Sequence, residues 1–122
     1  MKITSVNLPK ATTAGDYFLW YSKALTSLQL PSLTQVGESF LPYNKVLTTL
    51  ELPELTKAGD KFFYWNESLT AIDLPKLAKA GRWFLFRNES LTALTLPKLT
   101  AVGKGFLWHN EALIAIDLPN FR

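Results

Sequence analysis

Few side chains of this sequence could take part in catalysis. The chain contains one His, His109, and no Cys, so neither a Cys-based metal site nor a catalytic thiol can form. Gly-x-Ser-x-Gly, His-Glu-x-x-His and phosphate-binding Gly-rich loops are absent from it. Glu51 and Asp73 stand 22 residues apart and could become neighbouring carboxylates, whose like charges would cost a little stability. We therefore predict a protein that is not an enzyme, with no catalytic residue, no metal site and no cofactor.

A second set of residues could grip a flat ligand. Pairs containing at least one aromatic residue recur along the chain: Trp20-Tyr21, Pro42-Tyr43, Tyr64-Trp65, Phe86-Arg87 and Trp108-His109. A row of rings can hold sugars or serve as a partner's hot spot. We expect the first member of each pair to be mostly buried and the second mostly exposed. The candidate aromatic ridge therefore consists of Tyr21, Tyr43, Trp65, Arg87 and His109.

The spacing of these residues belongs to an internal repeat of 22 residues. The Leu-Pro pair occurs at Leu8-Pro9, Leu30-Pro31, Leu52-Pro53, Leu74-Pro75, Leu96-Pro97 and Leu118-Pro119. Three further columns keep the same register, namely Gly15, Gly37, Gly59, Gly81 and Gly103; Phe18, Phe40, Phe62, Phe84 and Phe106; and Asn44, Asn66, Asn88 and Asn110. We assign all three columns a structural role.

Each repeat reads as one coil of a solenoid, as Leu47 to Ser68 shows in full. Alternating apolar positions predict a short strand with one buried face, and the following Pro should end it. A second short extended piece runs to Gly59, where we expect a corner with positive φ. The Phe segment should then return as irregular or one-turn helical structure. Stacked coils would share one core. The prediction is a mainly β solenoid of five and a half 22-residue coils, one domain over residues 1–122.

Two columns of this predicted stack have particular consequences. The amides of the Asn column could bond each other and the turn backbone as a ladder, so the patterns Asn66-Glu67-Ser68 and Asn88-Glu89-Ser90 are by-products of the repeat rather than glycosylation sites. The outward positions of the first strand vary and form a candidate binding surface. These positions are Ser27, Gln29, Thr49, Glu51, Ala71, Asp73, Ala93 and Thr95. This surface is small and mildly acidic.

The coil resembles leucine-rich repeats of the bacterial surface-antigen (BspA-like) type. The resemblance covers nearly the whole chain and is carried by Leu69, Ile72, Leu74, Pro75, Leu77, Ala80, Gly81, Phe84 and Asn88, with counterparts in the other coils. Two features depart from the family pattern: one residue is missing between the Pro and the next apolar position, and Asn stands where the family usually has Cys. The resemblance implies a bacterial surface protein engaged in adhesion and host-protein binding, with the strand face as the ligand-facing wall.

Charge, hydropathy and the end coils bound the possible partners. The net charge is only +3 and the basic residues are scattered, so we expect no nucleic-acid partner. No apolar run is long enough for a signal peptide or a membrane span, so the compartment stays open, and it is cell-surface or secreted if the chain is an excerpt of a BspA-like protein. Neither Ile3–Val6 nor Ile114–Leu118 looks capped. We therefore expect an excerpt of a longer solenoid or a homo-oligomer, and slightly favour a two-fold dimer through Leu113–Leu118 over head-to-tail stacking.

These observations favour a non-enzymatic binding or scaffold module that recognises a protein partner or acts in adhesion. Two alternatives stay open. One is carbohydrate binding on the aromatic ridge, and the other is a purely structural or engineered repeat protein that self-assembles.

Overall fold

The protein is a parallel β-solenoid built from coils that stack in register. The computed structural model describes residues 3–19, 22–107, 110 and 112–119, without the side chains of Thr49, Ala115 and Asp117. We number the coils by the repeat: coil 1 is residues 3–24, coil 2 is 25–46, coil 3 is 47–68, coil 4 is 69–90 and coil 5 is 91–112. The described residues contain strands and turns but no helix. None of them therefore belongs to a helix long and apolar enough to cross a membrane.

Each coil contributes strands to two walls, as the alternating pattern and the Leu-Pro pair predict. The first wall contains β1 (Ser5–Asn7), β3 (Ser27–Gln29), β5 (Thr49–Glu51), β7 (Ala71–Asp73), β9 (Ala93–Thr95) and β10 (Ala115–Asp117). The second wall contains β2 (Thr13–Ala14), β4 (Gln35–Val36), β6 (Lys57–Ala58) and β8 (Lys79–Ala80), and it continues through a bridge from Lys79 to Ala101. Every paired residue faces its equivalent 22 positions away, as Ser5 faces Ser27. The solenoid of short parallel strands is therefore confirmed.

The core lies between the two walls and the return segments. In coils 2 to 4 the repeated Leu and Ile positions are buried except for Leu50, and Phe40, Phe62 and Phe84 are 0% exposed. The rings of the Phe column stack with centroids 5.3 to 5.6 Å apart from Phe18 to Phe106. One buried residue of each coil thus packs on its equivalents above and below, and this stacking of neighbours is how a solenoid forms a continuous core.

The Gly column does not have the backbone geometry that we expected. Of the glycines described, only Gly105 has a left-handed φ, of +82°, so the positive φ predicted for Gly59 and its counterparts is wrong. Glycine is needed there for a close approach instead. A Cβ on Gly59 would lie 2.8 Å from the carbonyl carbon of Gly37 in coil 2, whereas a Cβ on Gly15 in coil 1 would meet nothing within 4 Å.

Residues with left-handed φ occur in the return segments, at positions where coils 1 to 4 have no Gly. In coil 3, Lys61, Phe63 and Trp65 have φ of 58°, 53° and 56°. The alternation turns successive N–H groups in opposite directions: those of Lys61 and Trp65 donate to coil 4, and that of Phe63 donates to coil 2. The return is therefore irregular, and these inter-coil hydrogen bonds offset a cost of about 1–2 kcal/mol for each left-handed residue.

The Asn column connects the coils on the return side. The backbone N–H of Asn44 donates to Oδ1 of Asn66 at 2.9 Å, and that of Asn66 donates to Oδ1 of Asn88 at 3.3 Å. The Asn88 amide donates in turn to the carbonyl of Phe63 at 3.0 Å. Asn44, Asn66 and Asn88 are 0% exposed. A glycan cannot be attached to Asn66 or Asn88 while the solenoid is folded, because their amide groups lie inside it.

Candidate functional site

The first wall is interrupted at its centre. Strand pairing joins β1, β3 and β5 in one sheet and β7, β9 and β10 in another, but β5 and β7 are not paired. The second wall is continuous across the same two coils, with Lys57 opposite Lys79. Coils 3 and 4 therefore remain stacked through the second wall while the first wall is open between them.

The opening extends along the whole strand. At other steps of the first wall, the N–H of the Leu that follows a strand donates to the carbonyl of the last strand residue in the next coil. Leu30 donates in this way to the Glu51 carbonyl, and Leu74 to the Thr95 carbonyl. Among the residues described, no such bond links Leu52 to Asp73, and none links the Thr pair at the start of these strands. Elsewhere that Thr step carries two bonds, since both the N–H and the hydroxyl of Thr48 donate to the Thr26 carbonyl.

A like-charge pair coincides with this opening. The last residues of the first-wall strands form the column Asn7, Gln29, Glu51, Asp73, Thr95 and Asp117. Glu51 and Asp73 are the one pair of neighbours in this column that are both acidic. Like charges directly opposite one another destabilise strand pairing, and a carboxylate of Glu or Asp is short enough to stay close to the backbone. Their repulsion is the physical reason that we assign to the missing ladder.

The opening forms a cavity that we call the slot. It has a volume of about 320 Å³ and is lined by Leu50, Glu51, Leu52, Pro53, Asp73 and Pro75. Leu50 is partly exposed, whereas its equivalents Leu28, Ile72 and Leu94 are buried. A smaller and more enclosed cavity of about 190 Å³ adjoins the slot and is lined by Asn7, Gln29, Pro31, Glu51 and Pro53. Together they make a groove along the edge of the first wall. Carboxylate groups and the rings of Pro residues lie on its surface.

The carboxylates of the slot differ from those around it. Between the same two coils, Glu54 pairs with Lys76 at 2.8 Å and Asp60 with Arg82 at 3.1 Å. The Arg82 backbone N–H has the largest effect and lowers the pKa of Asp60, desolvation raises it by less, and the Arg82 guanidinium lowers it further. Glu51 and Asp73 are exposed and make no ion pair or side-chain hydrogen bond with any part of the chain that the structure describes. They are therefore available to a ligand.

The strand-face candidates lie together on the first wall. Gln29, Glu51, Ala71 and Asp73 are exposed, while Ser27, Ala93 and Thr95 are half-buried and the Thr49 side chain lies outside the described part of the structure. Sequence reasoning missed Leu50 as a surface residue, because the repeat placed it in the core. The sequence did indicate that Glu51 and Asp73 lie on adjacent strands. From that pair we predicted a small loss of stability, and not a gap between the strands.

The aromatic ridge shows only part of the expected contrast between its two columns, since Pro42 of the first column is buried but its other described members are not. Tyr43, Trp65 and Arg87 are half-buried, and so are Tyr64 and Phe86 of the first column; Tyr21 and His109 lie outside the described residues. The side chains pack on one another: the Arg87 guanidinium carbon lies 4.1 Å from the Trp65 ring centroid, and the Tyr64 and Phe86 rings stack at 4.8 Å. The ring faces that would hold a sugar are thus covered in part by the protein itself.

The end coils expose apolar side chains. Ile114 and Ile116 are 86% and 52% exposed at one end, and Ile3 is 49% exposed at the other. Ile116 lies in β10, Ile114 directly precedes it and Ile3 lies shortly before β1; no described strand covers the outer edges of these two strands. Self-association through Leu113–Leu118 stays a prediction.

The slot presents groups that can contact a ligand. The described residues include no group of three or more His, Cys, Asp or Glu side chains that could hold a metal ion. The slot offers two carboxylates, an apolar floor and an open strand edge. This arrangement can accept a cation or a hydrogen-bond donor.

Comparison with known proteins identifies the repeat. A family model described as the BspA type leucine rich repeat region matches residues 1–120 in six copies. No curated protein and no solved structure matches the chain.

Proposed function

Because the chain belongs to the BspA-type leucine-rich-repeat family, we propose that it is a non-enzymatic module that binds a protein partner through its first wall. Repeats of this type indicate a protein-interaction or adhesion module. Solenoids present extended surfaces of repeated strands, and these surfaces are commonly used for binding. We place such a module at the cell surface or outside the cell, as is general for BspA-like repeats.

The slot and its adjoining groove carry this proposal. Gln29, Glu51 and Asp73 are exposed on neighbouring coils of the first wall, so a partner can reach all three from one side. Polar groups without a partner beside apolar surface are the usual composition of a recognition site. The aromatic ridge is the weaker candidate, because its rings and Arg87 already pack on one another and Trp65 Nε1 is buried.

Site-specific photocrosslinking tests which wall binds. A benzophenone amino acid replaces Gln29 on the first wall in one variant and Gln35 on the second wall in the other, because both glutamines are exposed in coil 2. Each variant is irradiated with a bacterial or host-cell extract, and the covalent adducts are identified by mass spectrometry. We expect one recurrent protein adduct from position 29 and none from position 35.

Two outcomes would contradict the proposal. Adducts that are equally frequent at both positions would indicate non-specific adsorption. A recurrent adduct at position 35, or at a benzophenone placed at Tyr43, with none at position 29 would move the binding surface to another face.

A further inference from the structure

We propose that the slot between β5 and β7 binds a cationic side chain of the partner, best an arginine, with its guanidinium between the carboxylates of Glu51 and Asp73. This inference rests on the proposed function of the first wall, and it names the chemistry that the wall recognises. The occupant to which we commit is a basic segment of a protein partner.

The charges around the slot favour this occupant. Glu51 and Asp73 carry the same charge, and Lys76, the cation of coil 4 nearest to Asp73 in sequence, already pairs with Glu54. A positive charge placed between two carboxylates would gain from both and would also remove the repulsion between them. Arginine suits this place better than lysine, because its planar guanidinium carries five donors and can bond two carboxylates at once.

The apolar part of the slot fits the rest of an arginine side chain. Leu50, Pro53 and Pro75 line the cavity beside the two carboxylates. Long cationic side chains bury their methylene stems on apolar surface and keep the charged head among polar groups. The volume of about 320 Å³ lies at the small end of ligand cavities, which begin at roughly 300 Å³, so a single side chain suits it better than a larger group.

The open strand edge adds a backbone acceptor. The carbonyl of Asp73 receives no hydrogen bond from Leu52 in the described structure, although the equivalent carbonyl of Glu51 receives one from Leu30 at 3.4 Å. An N–H of the guanidinium, or of the partner's backbone, can donate to it. The slot therefore combines charge, apolar contact and a directional acceptor, and a simple metal ion would use only the first and third of these.

Titration with two short peptides, followed by amide NMR of the whole chain, tests the inference. The peptides are acetyl-Gly-Arg-Gly-amide and its uncharged counterpart acetyl-Gly-Gln-Gly-amide. We expect the arginine peptide to shift the amide signals of Leu50, Glu51, Leu52 and Asp73 saturably in the millimolar range, and the shifts to weaken as salt is added. The glutamine peptide should leave these signals unchanged.

Charge-matched variants decide whether the slot is the site. Replacing Glu51→Gln and Asp73→Asn should weaken arginine-peptide binding at least about tenfold, a loss of about 1.4 kcal/mol. The control variant, Glu67→Gln with Glu89→Gln, changes the net charge equally on the return side of the same two coils and should bind as the native protein does. Thermal denaturation of all three proteins checks that they are folded.

The outcomes separate this inference from the proposed function. The inference fails if both peptides act alike, if the slot variant binds as well as the control, or if calcium chloride gives the slot shifts while the arginine peptide does not. If it fails while benzophenone at position 29 still captures one recurrent protein, the first wall stays a binding surface with a different chemistry. If position 29 captures nothing and the arginine peptide still binds the slot, the proposed function fails instead.

Discussion

Both walls have two residues of like charge at the step between coils 3 and 4, but only the second wall keeps its strand pairing there. On the first wall Glu51 and Asp73 would be neighbours and the ladder is missing, whereas on the second wall Lys57 and Lys79 are neighbours and the ladder is intact. A lysine ammonium sits at the end of a flexible stem and can turn away from its neighbour. The Asp73 carboxylate is one methylene from its Cα and has less freedom to do so. Like charge alone therefore does not open a strand pair; its distance from the backbone also matters.

Backbone contacts add to this difference. On the second wall the Thr56 carbonyl accepts from the N–H groups of both Ala78 and Lys79, and Gly81 donates to Ala58 at 3.1 Å. The close approach of Gly81 to Gly59 lies directly beyond this wall, and a Cβ on Gly81 would lie 2.9 Å from the carbonyl carbon of Gly59. Backbone hydrogen bonds and this close approach therefore join coils 3 and 4 on the side of the second wall.

The largest loss of stability that we predict comes from a substitution in the core that both walls share. Phe62→Ala should lower the free energy of unfolding by about 3–5 kcal/mol, because the ring is fully buried between two other rings. Denaturant unfolding monitored by circular dichroism measures it. A loss below about 1 kcal/mol would mean that the walls, and not the Phe stack, carry most of the stability.

A second change acts on the second wall alone. Gly59→Ala should cost about 1–3 kcal/mol, because its Cβ would overlap the backbone of coil 2. The matched control is Gly15→Ala, where the Cβ meets nothing within 4 Å and the stability should not fall. Equal losses at both positions in thermal or denaturant unfolding would contradict the close-approach explanation.

A third change should close the first wall. Glu51→Lys places a cation beside Asp73, as Lys76 lies beside Glu54 one residue beyond the Pro. We expect the stability to rise by about 0.5–1 kcal/mol, since an opposite-charge pair replaces a like-charge pair. Hydrogen exchange of the Leu52 amide should slow as the bond to Asp73 forms. Unchanged exchange of that amide would show that repulsion does not hold the strands apart.

The smallest change in stability that we predict comes from removing one charge of the Lys57 and Lys79 pair on the second wall. Lys79→Gln removes the repulsion with Lys57, yet the stability should change by less than about 0.5 kcal/mol because the ladder is already formed. Amide exchange along Lys57–Ala58 should stay the same. A gain as large as that of Glu51→Lys would mean that both pairs are under equal strain and that side-chain length is not the cause of the difference.

The repeat made most of this fold predictable. A residue such as Leu55 or Phe62 recurs at every 22nd position, so its burial follows from stacking alone. The left-handed backbone at Lys61, Phe63 and Trp65 was not predictable, because these residue types carry no preference for positive φ. We expected correctly that Gly59 and its counterparts must be glycine, but the reason was wrong. A close approach between backbones and a positive φ both require glycine, and the sequence does not distinguish them.

The candidate site was predictable in part. The sequence identified Glu51 and Asp73 as exposed neighbours, because their column and its direction follow from the strand pattern. It did not predict that the pair opens the ladder and exposes Leu50. That outcome depends on whether the backbone hydrogen bonds between coils 3 and 4 outweigh the repulsion between the two carboxylates. A repeat pattern cannot predict this, because it describes all interfaces between coils as equal.

The missing ladder between β5 and β7 also bears on how the molecule unfolds. In a repeat protein each coil is stabilised by itself and by its nearest neighbours, so a weak interface divides the array into cooperative units. The interface between coils 3 and 4 lacks the backbone bonds that the first wall has elsewhere, and it separates two groups of three first-wall strands. Under mild denaturant the stack should therefore part in its middle, into an N-terminal and a C-terminal half that lose their structure at different concentrations.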